Sequence, residues 1–280
     1  MPAHPGLPLS HIQAALSILQ TCPRREFSNP IMQQLASRTA FALTLSCGAT
    51  ETPIPEALIR LYNDLNSYMS GPLWILVGLT MRLVDFHAAA RAGKFSLSYI
   101  LEHARAFREE LSQAQSNIPR SWGPRRIDTN DTLAFGGYYN VYARHELCQI
   151  LNSYRVLRLG VCAILLKFPN SSGVTEELAQ VTQEICATVP QFVLPQARPQ
   201  NTFPLSPLQI LECSGLLTPL YAAAQNTQDP VMHAWILRTV IYMADNGVKG
   251  ARTVAGIMTS SPDLHQWKVC SMVGNYAVFA

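Results

Sequence analysis

The sequence predicts an all-α protein, a single domain of about ten helices around an apolar core, and three observations carry that expectation. Apolar residues recur at three- and four-residue spacing along most of the chain, which is the period of a half-buried helix. The alternation rich in Val, Ile and Thr that marks strands is almost absent. Proline and glycine punctuate the periodic stretches. Ser28-Asn29-Pro30 and Thr52-Pro53-Ile54-Pro55 open helices, Gly71-Pro72 separates two, Asp229-Pro230 sets Pro at a first helical position, and Gly247 ends a helix.

Taken in order, these signals predict helices over 9–21, 30–46, 55–69, 73–92 and 96–116. Ser116 to Arg126, with Pro119, Gly123 and Pro124, cannot continue as helix. The next helix is expected over 131–167. Within it Leu147, Ile150, Leu151, Tyr154, Leu157, Val161 and Leu165 walk down one face that must be buried. A helix over 174–188 follows, then Pro190 to Pro207, whose five prolines make it a long connection. Either connection could cover an opening in the helical body; a connector packed on the surface is the competing reading. Helices over 206–226, 230–246 and 248–259 complete the chain. Leu208 to Tyr221 and Trp235 to Met243 are apolar nearly all round and are expected to be central.

Hydrophobic residues make up 48% of the chain and charged residues 14%, which excludes disordered and coiled-coil classes. The net charge of +3 gives no support for direct nucleic-acid binding, and Arg24-Arg25 and Arg125-Arg126 read as solvated charges in turn-like segments. The seven cysteines lie no closer than 14 residues apart, at Cys148 and Cys162, so they form neither a zinc ribbon nor a redox pair. No two of the seven histidines lie four apart on a helix face, so no metal and no cofactor is expected. Phosphate-cradling glycine loops, dinucleotide fingerprints, nucleophile elbows and zinc-protease helices are missing. His87 is a satisfied core histidine before it is a general base. Met1–Pro5 lacks a secretory start, and the apolar runs 73–81 and 159–166 end at Arg82 and Lys167. The expected location is intracellular, cytoplasmic or nuclear, with no membrane partner.

A family resemblance enters with four segments of the second half. They are Asn152-Ser153-Tyr154-Arg155-Val156-Leu157-Arg158-Leu159, Ile185-Cys186-Ala187-Thr188-Val189-Pro190-Gln191-Phe192, Gly215-Leu216-Leu217-Thr218-Pro219-Leu220-Tyr221, and Ala234 through Ala251. In order and approximate spacing they resemble the regulatory domain of fungal binuclear zinc-cluster transcription factors, over about 117–258. The resemblance implies an all-helical body that regulates a DNA-binding zinc cluster, commonly in secondary-metabolite gene clusters. The family's six-cysteine cluster, basic linker and coiled-coil segment have no counterpart in these 280 residues.

Two functions follow as expectations. One is a stand-alone metabolite-binding protein, a cofactor-independent cyclase or isomerase that folds an apolar terpenoid or polyketide in a cavity of the core. The other is a transcription regulator or ligand sensor that lacks its own zinc cluster and works through a homodimer or a transcriptional partner protein. For the first, Tyr142 and His145 are the candidate catalytic residues, because Tyr138, Tyr142 and His145 would share one helix face and donate hydrogen bonds to a substrate carbonyl. Tyr138, Tyr139, Arg155, Arg158, Glu212, Tyr221 and Trp235 are the candidate binding residues. The competing reading makes the tyrosines core fillers. It pairs Arg155 and Arg158 with Glu146, Glu212 or Asp245, and gives Glu212, on an apolar helix beside an inert Cys213, a partner of its own.

Overall fold

A computed structural model describes residues 7–169 and 173–273, with side chains from residue 13 onward; the Met1–Pro5 start lies outside them. The chain is helical almost throughout, as the periodicity predicts, with one two-stranded sheet among the described residues. It divides into two compact units, one ending at Ser96 and the other beginning at Leu97.

The first unit contains α1 (Leu7–Thr21), α2 (Pro30–Thr50), α3 (Glu56–Leu65) and α4 (Pro72–Arg91). Asn29 starts α2 by accepting from the Ile31 N–H, with Pro30 at the first helical position. α2 packs along α1 and α4. Gly78 on α4 lets Tyr62 come close, since a Cβ there would lie 2.2 Å from the Tyr62 hydroxyl. Tyr62 stacks on Trp74, whose indole N–H donates to Asn66. By length and composition α4 could cross a membrane, but 56% of its apolar window is buried inside the protein.

The second unit opens with α5 (Leu97–Ser116) and continues through β1 (Arg125–Asp128), β2 (Tyr138–Val141), α6 (His145–Leu165), α7 (Val174–Cys186), α8 (Pro190–Val193), α9 (Pro207–Ser214), α10 (Leu217–Asn226), α11 (Pro230–Asp245), α12 (Lys249–Ser260) and α13 (Gln266–Met272). α6 packs against α5, α7 and α10, and α10 also meets α7, α11, α12 and α13. The stripe expected on α6 is buried at Leu147, Ile150, Tyr154, Leu157, Val161 and Leu165, and half-buried at Leu151. Burial of that apolar stripe stabilises the unit, at about 25 cal/mol per Å² removed from water.

Four expectations need correction. The helix predicted over 131–167 begins only at His145; before it, β1 pairs antiparallel with β2 in the register Arg126↔Asn140 and Asp128↔Tyr138. Gly136 and Gly137, both at positive φ, turn the chain into β2, and the aromatic and β-branched run that follows prefers a pleated, half-buried surface. Arg125 and Arg126 therefore sit on a strand and not in a turn. The helix predicted over 206–226 breaks into α9 and α10, because Pro219 has no N–H to give Gly215. Finally α9 is not surrounded by protein: Leu208 and Leu211 are about half exposed or more.

The proline-rich connection is neither lid nor surface strap over its first half. Pro190 to Leu194 are buried, and Asn201 donates to the carbonyls of Gln191 (2.9 Å) and Leu194 (2.7 Å). Gln209 of α9 donates to the Phe192 carbonyl and accepts from Thr202 and Ser206, closing a capping box.

Candidate functional site

Tyr138, Tyr142 and His145 do not share a helix face. Tyr138 and Tyr139 lie on β2, Tyr142 in the turn after it, and His145 at the first position of α6. Strand alternation separates the two neighbouring tyrosines. Tyr138 is half-buried with the Arg126 guanidinium 3.8 Å above its ring, whereas Tyr139 is buried opposite Ile127.

Tyr142 and Arg155 do meet, in a buried polar cluster. Arg155 donates to the Tyr142 hydroxyl (3.0 Å), to Asn152 Oδ1 (2.8 Å) and to Glu184 Oε2 (3.0 Å), using all three guanidinium nitrogens. Asn152 in turn donates to Thr188 Oγ1 at 3.1 Å, and Thr188 donates to the Ile185 carbonyl. Burial works against the charge on Arg155, but Tyr142 and Glu184 outweigh it and hold the group protonated. Burial likewise pushes the Tyr142 phenol above its ordinary value in spite of Arg155, so Tyr142 is a neutral phenol and not a phenolate base.

A second cluster surrounds Glu212. Arg198, from the proline-rich connection, grips both of its carboxylate oxygens and also donates to Asn201 Oδ1 at 3.2 Å. His145 Nδ1 lies 3.6 Å from Glu212 Oε1, an electrostatic neighbour beyond hydrogen-bond reach. The two clusters are joined by Gln191, whose side-chain oxygen accepts from the Tyr142 N–H and whose backbone carbonyl accepts from Asn201. Polar partners therefore run from Glu184 through Arg155, Tyr142, Gln191, Asn201 and Arg198 to Glu212.

Arg158 belongs elsewhere. It donates to Glu177 at 2.9 Å and to Gln115 at 2.9 Å, while Arg108 donates to the other Glu177 oxygen at 2.6 Å, tying α5, α6 and α7 together. The ion pairs of Arg155 and Arg158 thus form with Glu184 and Glu177, not with Glu146, Glu212 or Asp245. Burial raises the Glu177 carboxyl, but the bonds from Arg158 and Arg108 outweigh it and hold it below the usual 4.5. A carboxyl depressed in the folded state contributes stability above its unfolded value, and that stability is lost as pH falls through the folded one. Acid titration of unfolding is expected to show a loss of stability starting below about pH 4.5, and Glu177→Gln to flatten that limb.

The remaining candidates are held in internal contacts. The Tyr221 hydroxyl lies 2.6 Å from the Leu264 carbonyl and 3.0 Å from that of Pro262, anchoring the turn before α13. Trp235 donates to the Thr132 carbonyl at 3.0 Å and packs on Phe135, pinning the loop that precedes β2. Burial pushes the thiols of Cys148 and Cys213 up to about 12 and those of Cys162 and Cys270 up to about 11. Only Cys22 is not buried. A thiol reagent at pH 8 is expected to label Cys22 in the native protein and the other six cysteines only on unfolding, read by peptide mass spectrometry.

The sequence reading missed Glu184, Arg198, Gln191 and Asn201, which complete the clusters. Glu177 and Glu184, seven apart, share one face of a helix, but nothing in the sequence says which helix that face meets. Among the described residues no group of three or more His, Cys, Asp or Glu is placed to hold a metal ion. No family model, curated protein or solved structure matches the chain.

Proposed function

We propose that this chain is the all-helical regulatory body of an intracellular transcription regulator of the fungal zinc-cluster type, acting through partner proteins. One observation supports the reading most. Three of the four segments that carry the resemblance, Asn152–Leu159, Ile185–Phe192 and Gly215–Tyr221, lie on α6, at the α7–α8 junction and at α10, and α6, α7 and α10 pack on one another. Asn152 to Thr188 fastens the first two, and Arg155 to Glu184 joins the first to the residue just before the second. Residues of these segments hold one another, which is what fold-defining positions of a regulatory body would do.

The same geometry favours this reading over a cyclase. Tyr142 is 3% exposed, so a substrate carbonyl reaches its hydroxyl only if the residues packed over it move aside. DNA contact would come from outside these residues, since the cysteine spacing provides no zinc cluster. The test fuses residues 1–280 to an unrelated DNA-binding domain and reads a reporter. Reporter output that changes with the fusion, relative to the DNA-binding domain alone at equal expression, is expected. A silent fusion, together with turnover of a polyketide or terpenoid by the purified chain, would overturn the reading in favour of an enzyme.

A further inference from the structure

Among the described residues nothing pairs with the outer edge of β1. The Thr129 N–H donates to the Gly137 carbonyl at 2.9 Å, so residues 129, 127 and 125 form the reciprocally bonded pairs with 137, 139 and 141. The backbone N–H and C=O of Arg126 and Asp128 then point away from β2. β2 obeys the same alternation: the Asn140 N–H points outward and donates to the Ala187 carbonyl at 2.8 Å, which ties that edge to the end of α7. The sheet stops at β1, where Arg125, Arg126 and Asp128 are exposed. Among the described residues neither Arg126 nor Asp128 makes a backbone hydrogen bond to a third element.

The side chains around this edge are positive. Arg120, Arg125 and Arg126 fall within seven residues, against Asp128 alone. Arg126 lies over Tyr138 and pairs with Asp128 at 3.1 Å, whereas Arg120 and Arg125 are exposed and form no ion pair among the described residues. A second copy paired antiparallel about Ile127 would set Arg126 across from Asp128 but would offer Arg125 only Thr129 and bring no acidic group for Arg120. A strand that carries acidic side chains gives both arginines a partner.

We infer that the outer edge of β1 docks an extended acidic peptide by strand addition. The peptide backbone pairs with Arg126 and Asp128, and its Asp or Glu side chains face Arg120 and Arg125. A nucleic acid would answer the arginines but has no alternating donors and acceptors for the outward N–H and C=O groups. The inference stands apart from the regulatory reading, because the docking residues Arg120, Arg125, Arg126 and Asp128 lie outside the four segments that carry the resemblance.

The test measures fluorescence anisotropy of a labelled peptide alternating Glu and Thr against the full chain, at low and high salt. Binding that weakens with salt and is absent for a Lys–Thr peptide is expected. Arg125→Glu, at an exposed position, should weaken binding about fivefold. Asp128→Pro removes an outward N–H, touches no ladder bond, removes a negative charge and frees Arg126. Charge alone would therefore make it bind more tightly, whereas strand addition predicts about fivefold weaker binding. Circular dichroism of each variant checks that the fold is kept. Tighter or unchanged binding by Asp128→Pro would overturn the inference. So would no binding of the Glu–Thr peptide, or a single-stranded oligonucleotide that binds this edge in the peptide's place.

Discussion

Arg155→Ala is expected to lower the unfolding free energy by about 2–4 kcal/mol, measured by chemical denaturation at neutral pH. The side chain is 8% exposed and satisfies Tyr142, Asn152 and Glu184 at once. Truncation leaves the buried Asn152 carbonyl oxygen without its donor, takes one of two donors from the Glu184 carboxylate, which keeps Gln180, and opens a cavity besides. Arg155→Lys should recover little, because one ammonium on a flexible stem cannot reproduce a planar fork aimed at three acceptors. A catalytic Arg155 would behave differently, since its loss would reduce turnover while leaving the unfolding midpoint nearly unchanged.

The second large effect is expected at the Glu212 cluster. Arg198→Ala should cost about 3–5 kcal/mol, because it strands a carboxylate that is 5% exposed. It also removes a donor to Asn201, which holds the buried turn of the proline-rich connection. The double change Arg198→Met with Glu212→Leu should lose much less than Arg198→Ala alone, since an apolar pair of similar volume leaves no uncompensated charge. Denaturant midpoints of the two variants check this. A double variant no more stable than Arg198→Ala would show that packing of the connection, and not the buried charge, sets the cost.

Much of the helical skeleton was legible because it rests on one-dimensional signals. The apolar stripe of α6 and the proline starts at Pro30, Pro72 and Pro230 are read from spacing alone, and they place helices correctly. The hairpin was misread for a specific reason. Tyr138, Tyr142 and His145 happen to fit a helical period, while Gly136-Gly137 followed by Tyr138-Tyr139-Asn140-Val141 is a turn-then-strand signal of only four residues. Pro219 was an available warning that 206–226 could not be one helix.

Candidate chemistry was legible in part. Glu212 was singled out as a carboxylate on an apolar helix, Tyr142 for a helix face it does not occupy, and Arg155 as a binding residue, and all three are buried. Their partners were not legible. Arg155 meets a residue 29 positions away and Glu212 one 14 positions away across a connection without periodicity, so only the tertiary fold brings them together. The same long-range pairing explains why Arg158, three residues from Arg155, serves a different cluster on the same pair of helices.

Tyr142 and Arg155 are partners in holding the second unit together and not free groups facing a substrate. A double-mutant cycle in unfolding free energy with Tyr142→Phe and Arg155→Met measures that partnership directly. A coupling of about 1–3 kcal/mol is expected, the range for a buried hydrogen bond to a charged group. Additive effects, with Tyr142→Phe leaving stability unchanged, would contradict it.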